Sequence, residues 1–260
     1  MRDQSSAAFY NTIARYYDAE NEFMTEDLPF YDELAENYGE PILDIGCGTG
    51  RVMLHLASSG HHTDGIDFSK AMLDRGKRIA SARSDLRDLS RFFEGDAATY
   101  EYPQTYPLIL VPYNGLMHFR SSQAQINAIR HWKAHLDEDG VIVFDLPNAG
   151  EMFGTADDGA VTLERSFVEP ESGNLVMQQS VSELDRTEQL QYITWIYDEI
   201  GADGLVRRTL APLTLRYIFP AEMDLLLEAC GLRRIERFGG YDQSPFEDGC
   251  ERMIVIAGRK

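Results

Sequence analysis

The segment Asp44-Ile45-Gly46-Cys47-Gly48-Thr49-Gly50-Arg51 constrains this chain more than any other, because three alternating glycines follow an apolar run and precede an amphipathic one. Without a Cβ, glycine permits a tight strand-to-helix turn and lets a ligand lie against the backbone, as in nucleotide-binding βαβ units. A dinucleotide fingerprint would read GxGxxG, with a pyrophosphate at the helix N-terminus. Here the spacing is GxGxG, and Arg51 stands where the last glycine should be. Asp44, just ahead of the loop, would repel a pyrophosphate and attract a cationic ammonium or sulfonium group. A nicotinamide-dependent oxidoreductase is therefore disfavoured, the more so because no substrate-domain motif of such an enzyme is recognisable.

The surroundings of the loop alternate short apolar runs with longer amphipathic stretches, the pattern of an α/β domain with a parallel sheet. The runs are Pro41 to Ile45, His62 to Ile66, Arg91 to Phe93, Leu108 to Val111 and Val141 to Phe144, with helices expected over Arg51 to Ser58 and Ser69 to Ser81. Beyond Pro147, Val161 to Val168, Leu175 to Leu184, Leu190 to Ile200 and Leu205 to Phe219 show two-residue alternation broken by turns such as Glu171-Ser172-Gly173-Asn174. Pro220 then suits the first turn of a helix running to Cys230, with Gly231 as its stop. Apolar runs near Ile235 and over Met253 to Ala257 complete the sheet. The fold expected is a Rossmann-like, doubly wound, mostly parallel seven-stranded sheet with an antiparallel β insert after the fifth strand. Residues 1–149 and 218–260 form the main domain, and 150–217 the insert, a lid on the acceptor side.

Composition narrows the partners. At 260 residues the chain holds one or two domains, and with 43% hydrophobic and 26% charged residues it is an ordinary globular sequence. No apolar run approaches the roughly 18 residues of a membrane span. The net charge of -19 repels phosphate backbones and anionic membranes, so neither nucleic acid nor membrane is an expected partner. Arg207, Arg208 and Arg216 are read as solvated strand positions. Cys47, Cys230 and Cys250 form no CxxC pair, which indicates neither a zinc site nor a disulfide framework. With no secretory pattern at the start, a reduced, cytoplasmic protein is expected.

Two further acids follow the loop in register. Asp67 closes the second apolar run and suits a ribose clamp, since one carboxylate can accept from two adjacent hydroxyls. Asp96, in Glu94-Gly95-Asp96-Ala97, could meet an adenine amino group after the third strand. With LDIGCGTGR, Asp67 and Asp96 together, residues 40 to 148 resemble the class I S-adenosylmethionine-dependent methyltransferases. The resemblance implies S-adenosylmethionine as cofactor, with Gly46, Cys47 and Gly48 passing close to its methionine and ribose parts. It further implies Arg51 facing the methionine carboxylate, with Phe68 and Ala97 bordering the adenine. The stretch Tyr10 to Asp18 is similar to a leader helix that closes over the donor in small-molecule methyltransferases, which would place Tyr17 against it; as a bare helix, Tyr10, Ile13 and Tyr17 simply pack on one face.

Methyl transfer from a sulfonium is an in-line displacement that needs nucleophile, carbon and sulfur held in line, without a metal. An amine acceptor must be neutral, whereas a hydroxyl usually needs its proton removed. The fourth strand ends in Tyr113-Asn114-Gly115-Leu116-Met117-His118, where open α/β sheets bind ligands. His118 is the candidate base, or else a packing histidine. Tyr113 and Asn114 orient an acceptor or satisfy the strand end, and Tyr241-Asp242 is a further pair beside the pocket. Phe167, Tyr192, Trp195 and Tyr197 of the insert wall off the acceptor or form sheet core. The layout is similar to amino-sugar N,N-dimethyltransferases and glycine N-methyltransferase, which favours a small-molecule amine as acceptor. An O-methyltransferase and a non-catalytic donor-binding sensor are the alternatives.

Overall fold

The computed structural model describes residues 6–154 and 159–260. The reading of the chain's first five positions as free of an export signal, and the part of the insert at 155–158, lie outside those residues.

Two helices precede the sheet. In α1 (Ser6–Glu20) the buried Phe9, Ile13 and Tyr16 recur at the spacing of one helix face. The second, α2 (Leu28–Tyr38), opens with Pro29 in its first turn and buries Phe30, Tyr31 and Leu34. Next come β1 (Ile42–Ile45), α3 (Arg51–Ser58), β2 (Thr63–Asp67), α4 (Lys70–Ser81), β3 (Ser90–Glu94), β4 (Tyr106–Val111), α5 (Ser122–Ala134) and β5 (Leu136–Pro147). Ser69 caps α4, its hydroxyl accepting the Met72 N–H at 3.3 Å.

After β5 come α6 (Ala149–Gly154) and four strands, β6 (Thr162–Val168), β7 (Leu175–Asp185), β8 (Leu190–Ile200) and β9 (Val206–Arg216). The chain then returns through α7 (Pro220–Ala229), β10 (Leu232–Phe238) and β11 (Arg252–Arg259). The main sheet has the order β10-β11-β5-β4-β1-β2-β3 and the insert forms its own sheet, β6-β7-β8-β9. In the main sheet β11 runs antiparallel to both its neighbours and the other pairings are parallel. The expected seven-stranded, mostly parallel architecture with an antiparallel insert is the one observed.

All four residues of β1 are buried, because a parallel sheet covered on both faces needs apolar side chains on each. On one face Leu43, Ile45, Ile109 and Phe144 pack with Trp132 of α5; on the other Ile42, Leu108 and Val143 pack with Phe30 and Leu34 of α2. The insert rests on α1, where the Tyr16 and Tyr197 rings stack with centroids 4.8 Å apart. Arg216 corrects the sequence reading: it is buried, not solvated, and its guanidinium bonds Glu222 at 2.6 Å, Gln125 at 2.9 Å and Gln189 at 3.2 Å, tying β9 to α7 and α5. Strand order reverses at β1, between β4 and β2, and the crevice at their carboxyl ends is where ligands bind in such sheets.

Candidate active site

A cavity of about 550 Å³ opens at that crevice. Its walls include every residue singled out above for the donor, Tyr17, Asp44, Gly46, Cys47, Gly48, Arg51, Asp67, Phe68, Asp96 and Ala97, together with Tyr113 and His118. The glycine loop shapes its floor. Gly46, Gly48 and Gly50 all have left-handed backbones, with φ of 73°, 58° and 89°. A Cβ added at Gly46 would meet nothing within 4 Å, so the backbone there faces open space. The loop is pinned from behind: the Gly46 and Cys47 N–H groups donate to the Ile66 carbonyl at 2.9 and 3.0 Å.

Asp67 couples loop, strand and helix. Its carboxylate accepts the Gly48 N–H at 3.0 Å and the Ser69 N–H at 2.7 Å. Burial pushes this carboxyl up to about 6, against the pull of those N–H donors. Asp44 at the end of β1 is more deeply placed, 1% exposed, and its Oδ1 is buried without a hydrogen-bond partner. Burial raises its carboxyl to about 7, opposed by the Arg51 guanidinium. A buried acceptor left unpaired costs about 1 to 3 kcal/mol, a deficit that a cationic or N–H-bearing ligand in the cavity would relieve. The residues present thus fit a ligand with an ammonium or sulfonium group and vicinal hydroxyls.

Other walls are fixed by the scaffold. The Ala97 carbonyl accepts from Trp132 Nε1 at 2.9 Å and from the Tyr102 hydroxyl at 3.0 Å, which anchors the turn after β3. Asp96 caps that turn through the Ala98 N–H at 2.9 Å. Arg51 is committed to the chain itself: it pairs both guanidinium nitrogens with Asp27, at 2.7 and 2.5 Å, and bonds the Met24 carbonyl at 3.0 Å. It borders the cavity while holding down the α1–α2 connection.

Both ring nitrogens of His118 are engaged, Nε2 with the Tyr10 hydroxyl and Nδ1 with the Ser6 hydroxyl, each at 3.1 Å. Burial, then the Arg120 charge, lowers the imidazole to about 4. Tyr10 and Ser6 were not singled out as cavity residues in the sequence; the seven-residue spacing of Tyr10 and Tyr17, two helical turns, is the signal that could have found Tyr10. Tyr241 does not line the cavity but bonds Asp145 at 2.9 Å just behind it. Among the described residues no lining residue comes from the insert, whose Tyr197 and Trp195 pack in the core.

Residues 42–140 match the family model described as methyltransferase domain. The cypemycin N-terminal methyltransferase of a Streptomyces species is 26% identical over 226 residues, 85% of this chain and 84% of that one. A Geobacillus protein named as a candidate methyltransferase is 26% identical over 58% of this chain, a match spanning 60% of its own length, under two thirds. Among solved structures, the CcbJ methyltransferase of Streptomyces caelestis superposes with a TM-score of 0.82 at 24% identity, covering 96% of this chain and 98% of that one. CalS10, an amino pentose methyltransferase of Micromonospora echinaspora, superposes at 0.70 with 20% identity, covering 94% and 96%. These superpositions bear on the fold.

Proposed function

We propose that the chain is a class I S-adenosylmethionine-dependent methyltransferase and that it methylates an amine nitrogen of a small molecule. The observation that carries the reading is the unpaired, buried Asp44 Oδ1 in one cavity with Asp67 and the open backbone of Gly46. S-adenosylmethionine, when bound, supplies a methyl carbon already activated by its sulfonium. The protein's own task is to hold the partners and keep water out. Asp44 would take the cationic side of the donor, Asp67 its ribose hydroxyls, and the Asp96–Ala97 turn with Phe68 its base. Tyr10 and Tyr17 on α1 would close the cavity from above.

The choice of nitrogen over oxygen rests on His118, the one histidine among the described lining residues. A hydroxyl acceptor needs a group that takes its proton at neutral pH. His118, the candidate for that role, is lowered to about 4 and has both nitrogens occupied, which suits a fixed wall that orients Tyr10. An amine that arrives neutral needs no such help. Relatives named as N-methyltransferases, including those of a peptide terminus and an amino sugar, agree with this preference. The acidic surface favours a small acceptor over nucleic acid, and the free cysteines suit a reducing, cytoplasmic setting.

The test is S-adenosylhomocysteine release from the protein with S-adenosylmethionine and a panel of small amines, amino sugars and phenols. Turnover with amines supports the reading, and turnover with phenols alone overturns the choice of nitrogen.

A further inference from the structure

On the reading of the cavity as a methyl-donor site, we propose that Asp145 is a positioning residue that holds Tyr113 in the cavity wall by tethering the turn after β4. Two successive residues of that turn, Tyr113 with φ of 43° and Asn114 with φ of 70°, adopt the left-handed conformation without being glycine. Such conformations cost energy at each residue and persist where the surroundings over-determine them. The Tyr113 ring lines the cavity and is 40% exposed, so burial of its own ring does not hold it there.

Asp145 supplies the tether. On β5, 1% exposed, it accepts the Tyr113 N–H on Oδ2 at 3.1 Å, and its backbone carbonyl accepts the Asn114 N–H at 2.9 Å. The same Oδ2 takes the hydroxyls of Tyr241 at 2.9 Å and Tyr31 at 3.3 Å. Its Oδ1 is claimed by the Arg252 guanidinium, through Nε at 2.9 Å and through Nη2. Arg252 Nη2 continues to Asn114 Oδ1 at 3.2 Å, and the guanidinium lies 5.7 Å over the Tyr113 ring. One carboxylate thus fixes the backbone of the turn directly and its two side chains through Arg252. Every partner of that carboxylate is a donor, so asparagine cannot replace it: whichever way the amide turns, an NH₂ group meets donors.

The experiment is calorimetric titration of S-adenosylhomocysteine into the wild type, Asp145→Asn, Asn114→Gly and the double variant. We expect Asp145→Asn to bind about tenfold more weakly, and the double variant to recover to within about threefold of wild type, because glycine holds the left-handed turn without a tether. A residue acting only on global stability would not be rescued in affinity by a glycine in that turn. Equal affinity for Asp145→Asn and wild type, or no recovery in the double variant, overturns the assignment alone. A wild type that does not bind the probe overturns the donor-site reading and the assignment with it. Should Asp145→Asn fail to fold, Arg252→Lys carries the test, since lysine has neither the second nitrogen that Nε sets on Asp145 nor the planar group that lies over the Tyr113 ring. A several-fold loss rescued by Asn114→Gly supports the proposal, and an unchanged affinity overturns it.

Discussion

Asp44 and His118 are two titratable groups of one cavity that burial drives in opposite directions, both toward the neutral form. Asp44 stands near 7 in place of its ordinary 3.8. Its neutral form therefore stabilises the free protein below pH 3.8, and that contribution is lost as pH rises through about 7. A cationic donor favours the carboxylate, so binding at pH 6.5 is expected to release roughly half a proton or more. Calorimetry of S-adenosylmethionine binding in buffers of different ionisation enthalpy reads this directly. Asp44→Asn should remove most of the release, leaving the smaller share of Asp67, and affinity of the wild type should rise between pH 6 and 8. His118 has the reverse sign: its pKa falls from 6.5 to about 4, so the stability it contributes is complete above 6.5 and lost as pH falls through about 4. Urea denaturation should show the stability gap between wild type and His118→Gln shrinking from pH 7.5 to pH 5. Asp67→Asn should weaken donor binding by about 1.5 to 3 kcal/mol per hydrogen bond lost to the charged oxygens, measured by titration.

The glycine loop is a strand-to-helix element whose geometry depends on what lies behind it. A Cβ at Gly65 on β2 would sit 2.3 Å from Met53 Sδ and 2.8 Å from Cys47 Sγ. Gly65→Ala should therefore push the loop into the cavity, destabilising the fold by about 1 to 3 kcal/mol in chemical denaturation and weakening donor affinity together. Most of this layer was legible in the sequence, because the loop, Asp67 and Asp96 are local signals that fall at successive strand ends. α3 and the insert strands followed from periodicity. What escaped was long-range. β5 begins at Leu136, five residues before the apolar run at Val141, because Asp137, Glu138 and Asp139 interrupt the pattern at an end of the strand where side chains reach solvent. Arg216 looked solvated because nothing local announces Glu222 and Gln125. Asp145 was silent for the same reason: its donors come from α2, the β4 turn, the 241 loop and β11.

Across the whole molecule, two sheets are joined through α1 and through the buried Arg216, so the cavity is an assembly of distant segments. Arg15 of α1 bonds Glu169 at 2.8 Å after β6, and the Ser69 hydroxyl donates to Asn11 at 2.8 Å, clasping the helix over the cavity. Arg216→Ala strips the buried Gln125 and the half-buried Glu222 of a partner and should destabilise the protein by about 1 to 3 kcal/mol, read from guanidinium denaturation. The central claim, that Asp44, Asp67 and the bare loop backbone recognise an adenosyl sulfonium, is tested most directly by a crystal structure grown with S-adenosylhomocysteine. The ligand is expected against Gly46 to Gly48, its ribose on the Asp67 carboxylate and its amino group toward Asp44. Density for the ligand elsewhere, or none at saturating concentration, would contradict it.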